Sequence, residues 1–209
     1  MTLQLQIALD RIPLERAVRI ATAVAPHTDW IEVGTSLIKQ FGMESVRQVV
    51  ASAPGVPVLA DLKTADDAVF EFGLAYEAGA SSATVLGIAA DATLDKAVQF
   101  AAEHGKEVVV DLMETTGPRR AELAARLPAS VVLAAHIGKD AQHGGTDPAA
   151  LLGTWSAGRR LAVAGGLTAE DLPGLAGAGD LRVIVGSAVT GAADPAAAAL
   201  HLARAAGRD

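Results

Sequence analysis

From end to end, short β-branched runs alternate with longer segments whose apolar residues recur at helical spacing. This alternation restricts the fold more than any other feature of the chain. Extended candidates fall at 3–9, 30–33, 58–60, 83–86, 107–110, 131–135, 161–164 and 183–185. Helix candidates fall between and after them, at 14–25, 43–53, 67–78, 92–104, 119–127, 148–155, 169–176 and 195–206. Strict βα alternation requires a parallel sheet with helical crossovers, and eight such units close into a (β/α)8 TIM barrel. The competing doubly wound sheet uses about five or six strands and a glycine-rich first turn. Here the first strand ends in Leu9-Asp10-Arg11 with no glycine, and the tract 174–179 reads as a loop without GxGxxG. No linker or shift in composition marks a boundary, so residues 1–209 read as a single α/β barrel domain.

Composition closes off several classes of function. With 51% hydrophobic and 20% charged residues the chain can bury a core, which excludes a disordered protein. Seventeen basic against 24 acidic residues give a net charge of −7 with no basic patch, so no nucleic-acid partner is expected. The absence of cysteine excludes disulfides, thiol nucleophiles and cysteine-ligated zinc. No apolar stretch is long and uncharged enough for a membrane helix, and the first ten residues lack the pattern of a secretory signal. These features point to a cytoplasmic protein.

Barrel active sites form at the C-terminal ends of the strands, and here the polar residues gather there. Strand one ends in Asp10, and strand two in Glu32-Val33-Gly34-Thr35. Strand three runs through Asp61-Leu62-Lys63 toward Asp66; strands five and six end in Asp111 and His136. Strands seven and eight run into Gly165-Gly166 and Gly186-Ser187. Strand interiors elsewhere read as nearly all aliphatic. Carboxylates without cysteine or a histidine pair favour a hard cation such as Mg²⁺; taken singly, each also reads as a helix cap or a partner of Lys63. Asp61 and Lys63, two apart on an extended segment, share a face. Flanking acids keep the lysine charged, suited to stabilising a developing oxyanion or, alternatively, to a structural ion pair. His136 suits proton transfer or a satisfied place in the core. The two glycine pairs sit where such barrels bind phosphate through backbone N–H groups, although ordinary tight turns use the same residues.

On these residues the chain resembles the 3-hexulose-6-phosphate synthase and 3-keto-L-gulonate-6-phosphate decarboxylase family of the orotidine-monophosphate-decarboxylase superfamily. The resemblance spans nearly the whole chain. It is carried by Leu5-Gln6-Ile7-Ala8-Leu9-Asp10, Ile31-Glu32-Val33-Gly34-Thr35 and Asp61-x-Lys63-x-x-Asp66, with Val108-Val109-Val110-Asp111, Ala164-Gly165-Gly166 and Val185-Gly186-Ser187. It implies that Glu32 and Asp61 hold Mg²⁺ and that Lys63 assists at enediolate oxygens. It also implies that His136 moves the proton and that Asp10 lines the pocket beside these catalytic groups; Asp111 and Lys139 are read as meeting the substrate. Gly165, Gly166, Gly186 and Ser187 would hold the phosphate of a phosphorylated ketose. Asp66 would act across the interface of a homodimer with shared active sites.

Both activities of the family pass through a 1,2-enediolate. The synthases form it by removing a proton from ribulose 5-phosphate and trap formaldehyde; the decarboxylases form it by losing carbon dioxide. Family decarboxylases tend to place Glu at the strand-five end, Thr before the glycine pair and Arg three residues after the histidine. Asp111 and Ala164 in this chain are synthase-like, whereas Lys139 departs from both patterns. The reading is therefore a Mg²⁺-dependent lyase adding formaldehyde to ribulose 5-phosphate. The alternatives are a sugar-phosphate decarboxylase and a sugar-phosphate-binding barrel without catalysis.

Overall fold

In a computed structural model that describes residues 3–138, 140, 150, 152–175, 177 and 179–208, eight parallel strands close on themselves in sequence order. The strands are β1 (Gln4–Leu9), β2 (Trp30–Val33), β3 (Val58–Thr64), β4 (Ser82–Leu86), β5 (Glu107–Asp111), β6 (Val132–His136), β7 (Arg160–Ala164) and β8 (Leu181–Val185), with β8 pairing back onto β1. The helices are α1 (Leu14–Val24), α2 (Thr35–Phe41), α3 (Met43–Ser52), α4 (Ala68–Glu77), α5 (Asp91–Glu103), α6 (Gly117–Arg126), α7 (Leu172–Leu175), α8 (Ser187–Thr190) and α9 (Pro195–Ala205). The TIM barrel expected from the alternation is the fold found. No helix among the described residues is long and apolar enough to cross a membrane.

Side-chain alternation along each strand builds two layers. Outward residues such as Leu5, Ile7, Leu9, Val33, Val85, Val110, Leu133 and Val163 pack against the helices and form the main core. Inward residues Leu59, Val109, Val132, Ala134 and Ala162 make a second, smaller apolar cluster, flanked by Trp30 and Ile184. Alanine at inward positions 8, 134, 162 and 164 leaves the upper barrel unfilled, and a cavity of about 340 Å³ opens there.

Several sequence expectations need correction. Helices α2 and α8 lie in segments for which no helix was expected. Of the helix expected at 169–176 only Leu172–Leu175 forms among the described residues, because Pro173 and Gly174 weaken it. Most of the expected 148–155 helix falls outside the described residues, and its described end is a 3₁₀ turn at Thr154–Ser156. Nor are the strand interiors uniformly aliphatic. Gln4, Gln6, Glu107, Arg160 and Arg182 form a polar layer at the N-terminal end of the barrel.

Candidate active site

The site is organised by an irregularity in β3. Its pairing with β4 runs in register to Ala60–Ala83 and resumes at Thr64–Val85, so three β3 residues stand opposite the single Thr84. Lys63 takes up the excess with a left-handed backbone, φ 50°, a conformation that costs a non-glycine residue roughly 1–2 kcal/mol. Thr84 clamps the bulge, accepting the Lys63 backbone N–H (2.8 Å) and donating its hydroxyl to Asp61 Oδ1 (2.9 Å). Bulges re-aim side chains beside active sites, and this one lays the Lys63 ammonium against Asp61, 2.9 Å from Oδ2. The expected shared face of Asp61 and Lys63 is thus real, but it arises from the bulge and not from regular extended spacing. Thr35, at the start of α2, donates to Asp61 Oδ2 (2.7 Å).

From the other side Lys63 reaches Asp111 Oδ2 at 2.7 Å, and His136 Nδ1 approaches the same oxygen at 2.8 Å. Asp111 Oδ1 accepts the Met113 backbone N–H. Read from the sequence as a substrate contact, Asp111 is a buried hub joining lysine to histidine. Burial pushes its carboxyl up, but His136 and Lys63 outweigh burial and hold it well below the usual carboxylate range. Burial alone pulls the Lys63 ammonium down, and Asp61 and Asp111 reverse this, so it stays protonated throughout the neutral range. Burial lowers His136 too, yet the Asp111 contact more than offsets it, and the imidazole titrates above its ordinary 6.5. A raised histidine contributes stability that is complete below its unfolded pKa and lost as pH rises through the folded pKa. Asp111→Asn is therefore expected to lower the His136 pKa in an NMR titration of its ring protons and to flatten the fall in stability above pH 6.5. An unmoved imidazole resonance would show that Asp111 does not control it.

Glu32, from the end of β2, is buried and accepts from Gln6 Nε2. Its carboxyl is pushed up to about 7, first by burial and then by neighbouring Asp61. Neighbouring carboxylates suit a hard divalent ion, although Asp61 already pairs with Lys63. No group of three His, Asp or Glu side chains placed to hold a metal occurs among the described residues. Two carboxylates completed by water nevertheless match the habit of Mg²⁺.

Across the cavity, Gly165 and Gly166 follow β7 with φ 133° and 74°, backbone that side chains resist, while Gly186 and Ser187 follow β8. All four line the cavity with Glu32, Asp61, Lys63, Asp111 and His136. Asp10 lines it too, although its Oδ1 accepts the Leu37 N–H in the first turn of α2 (3.0 Å). The fit there is tight, since a Cβ on Gly34 would lie 2.5 Å from the Asp10 Cβ. Asp66 stands apart, exposed and outside the cavity lining. Lys139 lies outside the described residues. Sequence reading assigned no role to Thr35, Thr84, Gln6 and Arg182. The last two had a signal, a polar side chain at an inward position between aliphatic neighbours.

Comparison with known proteins bears on the fold and the family. The chain is 38% identical over 202 residues to the 3-hexulose-6-phosphate synthase of Mycobacterium gastri, covering 96% of this chain and 98% of that protein. The crystal structure of 3-hexulose-6-phosphate synthase from Salmonella typhimurium superposes with a TM-score of 0.89 at 36% identity, covering 98% of each chain. The crystal structure of 3-keto-L-gulonate-6-phosphate decarboxylase from Vibrio cholerae superposes with a TM-score of 0.85 at 29% identity, covering 99% of this chain and 98% of that one. Residues 3–202 match the family model described as Orotidine 5'-phosphate decarboxylase / HUMPS family, and the chain belongs to that family.

Proposed function

We propose that this chain is a lyase catalysing the aldol addition of formaldehyde to ribulose 5-phosphate, the 3-hexulose-6-phosphate synthase reaction, with Mg²⁺ as its cofactor. The observation that carries the reading is the chain of contacts Asp61–Lys63–Asp111–His136 in one cavity that also contains the Gly165–Gly166 and Gly186–Ser187 loops. Glu32 and Asp61 would hold Mg²⁺, which when bound supplies Lewis-acid polarisation of the ketose oxygens. The remaining work falls to side chains and backbone. Backbone N–H groups of Gly165, Gly166, Gly186 and Ser187 hold the phosphate, and Asp10 lines the pocket between. His136 has Nδ1 committed to Asp111, so proton exchange with the substrate falls to Nε2. It takes the proton from C1 as the C–H bond breaks, and the electron pair forms the enediolate. Lys63 keeps its proton and faces the oxygens where negative charge grows. C1 then bonds to the formaldehyde carbon, and the proton ends on the former formaldehyde oxygen.

The synthase relatives are more similar to this chain than the decarboxylase, and Asp111 and Ala164 stand where family decarboxylases tend to carry Glu and Thr. The same reading assigns Asp66 to a homodimer, in which Asp66 of the partner subunit completes each site. Asp66 lies two residues before α4, whose Val69, Phe70 and Leu74 are exposed apolar residues, as is Ile88 after β4. With purified protein and Mg²⁺, formaldehyde-dependent loss of ribulose 5-phosphate is the expected result. No turnover with the metal present defeats the proposal. Carbon dioxide release from 3-keto-L-gulonate 6-phosphate moves the assignment to the decarboxylases, and sugar-phosphate binding without either reaction moves it to a non-catalytic barrel.

A further inference from the structure

Among the residues lining the cavity, Arg182 of β8 lies inside the barrel and is 2% exposed. Its guanidinium sits 4.0 Å from the Trp30 ring centroid and pairs with both Glu107 oxygens at 3.0 and 3.2 Å. Nε meets Gln4 Oε1 at 3.3 Å, and Nη1 donates to Gln6 Oε1 at 3.2 Å. A guanidinium carries donors only, so the Gln6 oxygen must face it, and the amide nitrogen is thereby turned toward Glu32. There it donates to Oε2. Gln6 is fully buried, between β2 and β8 in the register of the sheet. Its amide therefore has one orientation that satisfies both ends, and that orientation fixes one oxygen of a glutamate lining the cavity. Without it, the buried Glu32 carboxylate would face the like charge of Asp61 without the amide that orients it.

We propose that Gln6, locked by Arg182, is a positioning residue that holds the Glu32 carboxylate in place for a divalent cation. The inference rests on the reading of Glu32 and Asp61 as the cation's ligands. Partners behind a metal ligand commonly account for about 10- to 100-fold in metal affinity. Polar residues at this end of a barrel otherwise serve stability alone, and the test must separate the two roles.

The full chain is titrated with Mn²⁺, read by loss of the free-ion EPR signal, with inorganic phosphate binding and the melting temperature measured in parallel. Gln6→Met, close in volume and unable to donate, is expected to raise the Mn²⁺ Kd by about 10- to 100-fold while phosphate binding and melting stay near wild type. Arg182→Met moves the Kd in the same direction, and Arg182→Lys restores part of the loss because an ammonium still donates to Gln6 Oε1. A wild-type Kd in Gln6→Met overturns the proposal. So does a loss of cation binding matched by loss of phosphate binding and melting temperature. If wild type binds no Mn²⁺, or Asp61→Asn binds it as tightly as wild type, the ligand reading fails and the inference falls with it.

Discussion

Replacing Lys63 with alanine is expected to lower kcat by about 10²–10³-fold, the loss typical when one preorganised donor to a developing oxyanion is removed. The ammonium lies 2.9 Å from Asp61 and 2.7 Å from Asp111, and the bulge in β3 exists at the cost of a left-handed lysine. Strain of this kind persists only where the surroundings over-determine it; here Thr84 and two carboxylates do so. Phosphate binding, assigned to the glycine loops after β7 and β8, has no contact with Lys63 to lose. The affinity for ribulose 5-phosphate should therefore change by much less than kcat. Steady-state rates of formaldehyde-dependent ribulose 5-phosphate consumption give the first quantity, and calorimetric titration of the sugar phosphate gives the second. The variant should fold, because Asp61 keeps the Thr35 and Thr84 hydroxyls and Asp111 keeps His136 and the Met113 N–H. Its melting temperature should still fall, since two buried acids lose their shared cation. Undiminished kcat refutes the role of Lys63. A loss expressed wholly in sugar-phosphate affinity makes it an anchor of the substrate instead.

What could be read from the sequence follows from which forces are local. Strand β2 spans the expected residues, and β5, β6 and β7 differ by a residue or so, because inward and outward side chains of a barrel are set by period-two alternation. The strand-end acids were legible for the same reason. The bulge was not, since it exists only as a mismatch between β3 and β4, and neither strand shows it alone. Helix α2 was missed because part of its capping is remote: the first turn is tied to Asp10, 27 residues before Leu37. Gln6 and Arg182 carried a visible signal, but their partners lie on other strands and only barrel closure brings them together. Asp111 was placed at a strand end with Lys63 among its possible partners, but its contact with His136 had no local signal. Its proximity to both Lys63 and His136 depends on closure of the barrel, which brings β3, β5 and β6 around one axis.

Mixing two inactive variants should regenerate activity, and this is the sharpest test of shared sites. Asp66 lies three residues from Lys63, yet it is exposed and absent from the cavity lining, while Lys63 points into the cavity. If Asp66 serves the neighbouring subunit, Lys63→Ala and Asp66→Ala each abolish most turnover as homodimers. In a mixed dimer one site carries both defects, and the other carries neither. Random reassortment of a two-fold dimer makes about half of the dimers mixed, each with one intact site, so activity should return to about one quarter of wild type. The experiment unfolds and refolds the variants together in equal amounts and assays formaldehyde-dependent loss of ribulose 5-phosphate, with each variant refolded alone as control. Were Asp66 to act within its own chain, every subunit in the mixture would keep one defect and activity would stay at the level of the parents. The exposed apolar residues Val69, Phe70, Leu74 and Ile88 give a second handle. Phe70, 63% exposed, is the largest of these side chains, and Phe70→Glu should dissociate the dimer in sedimentation and remove activity without touching any cavity residue. A fully active monomer would show that each barrel completes its own site.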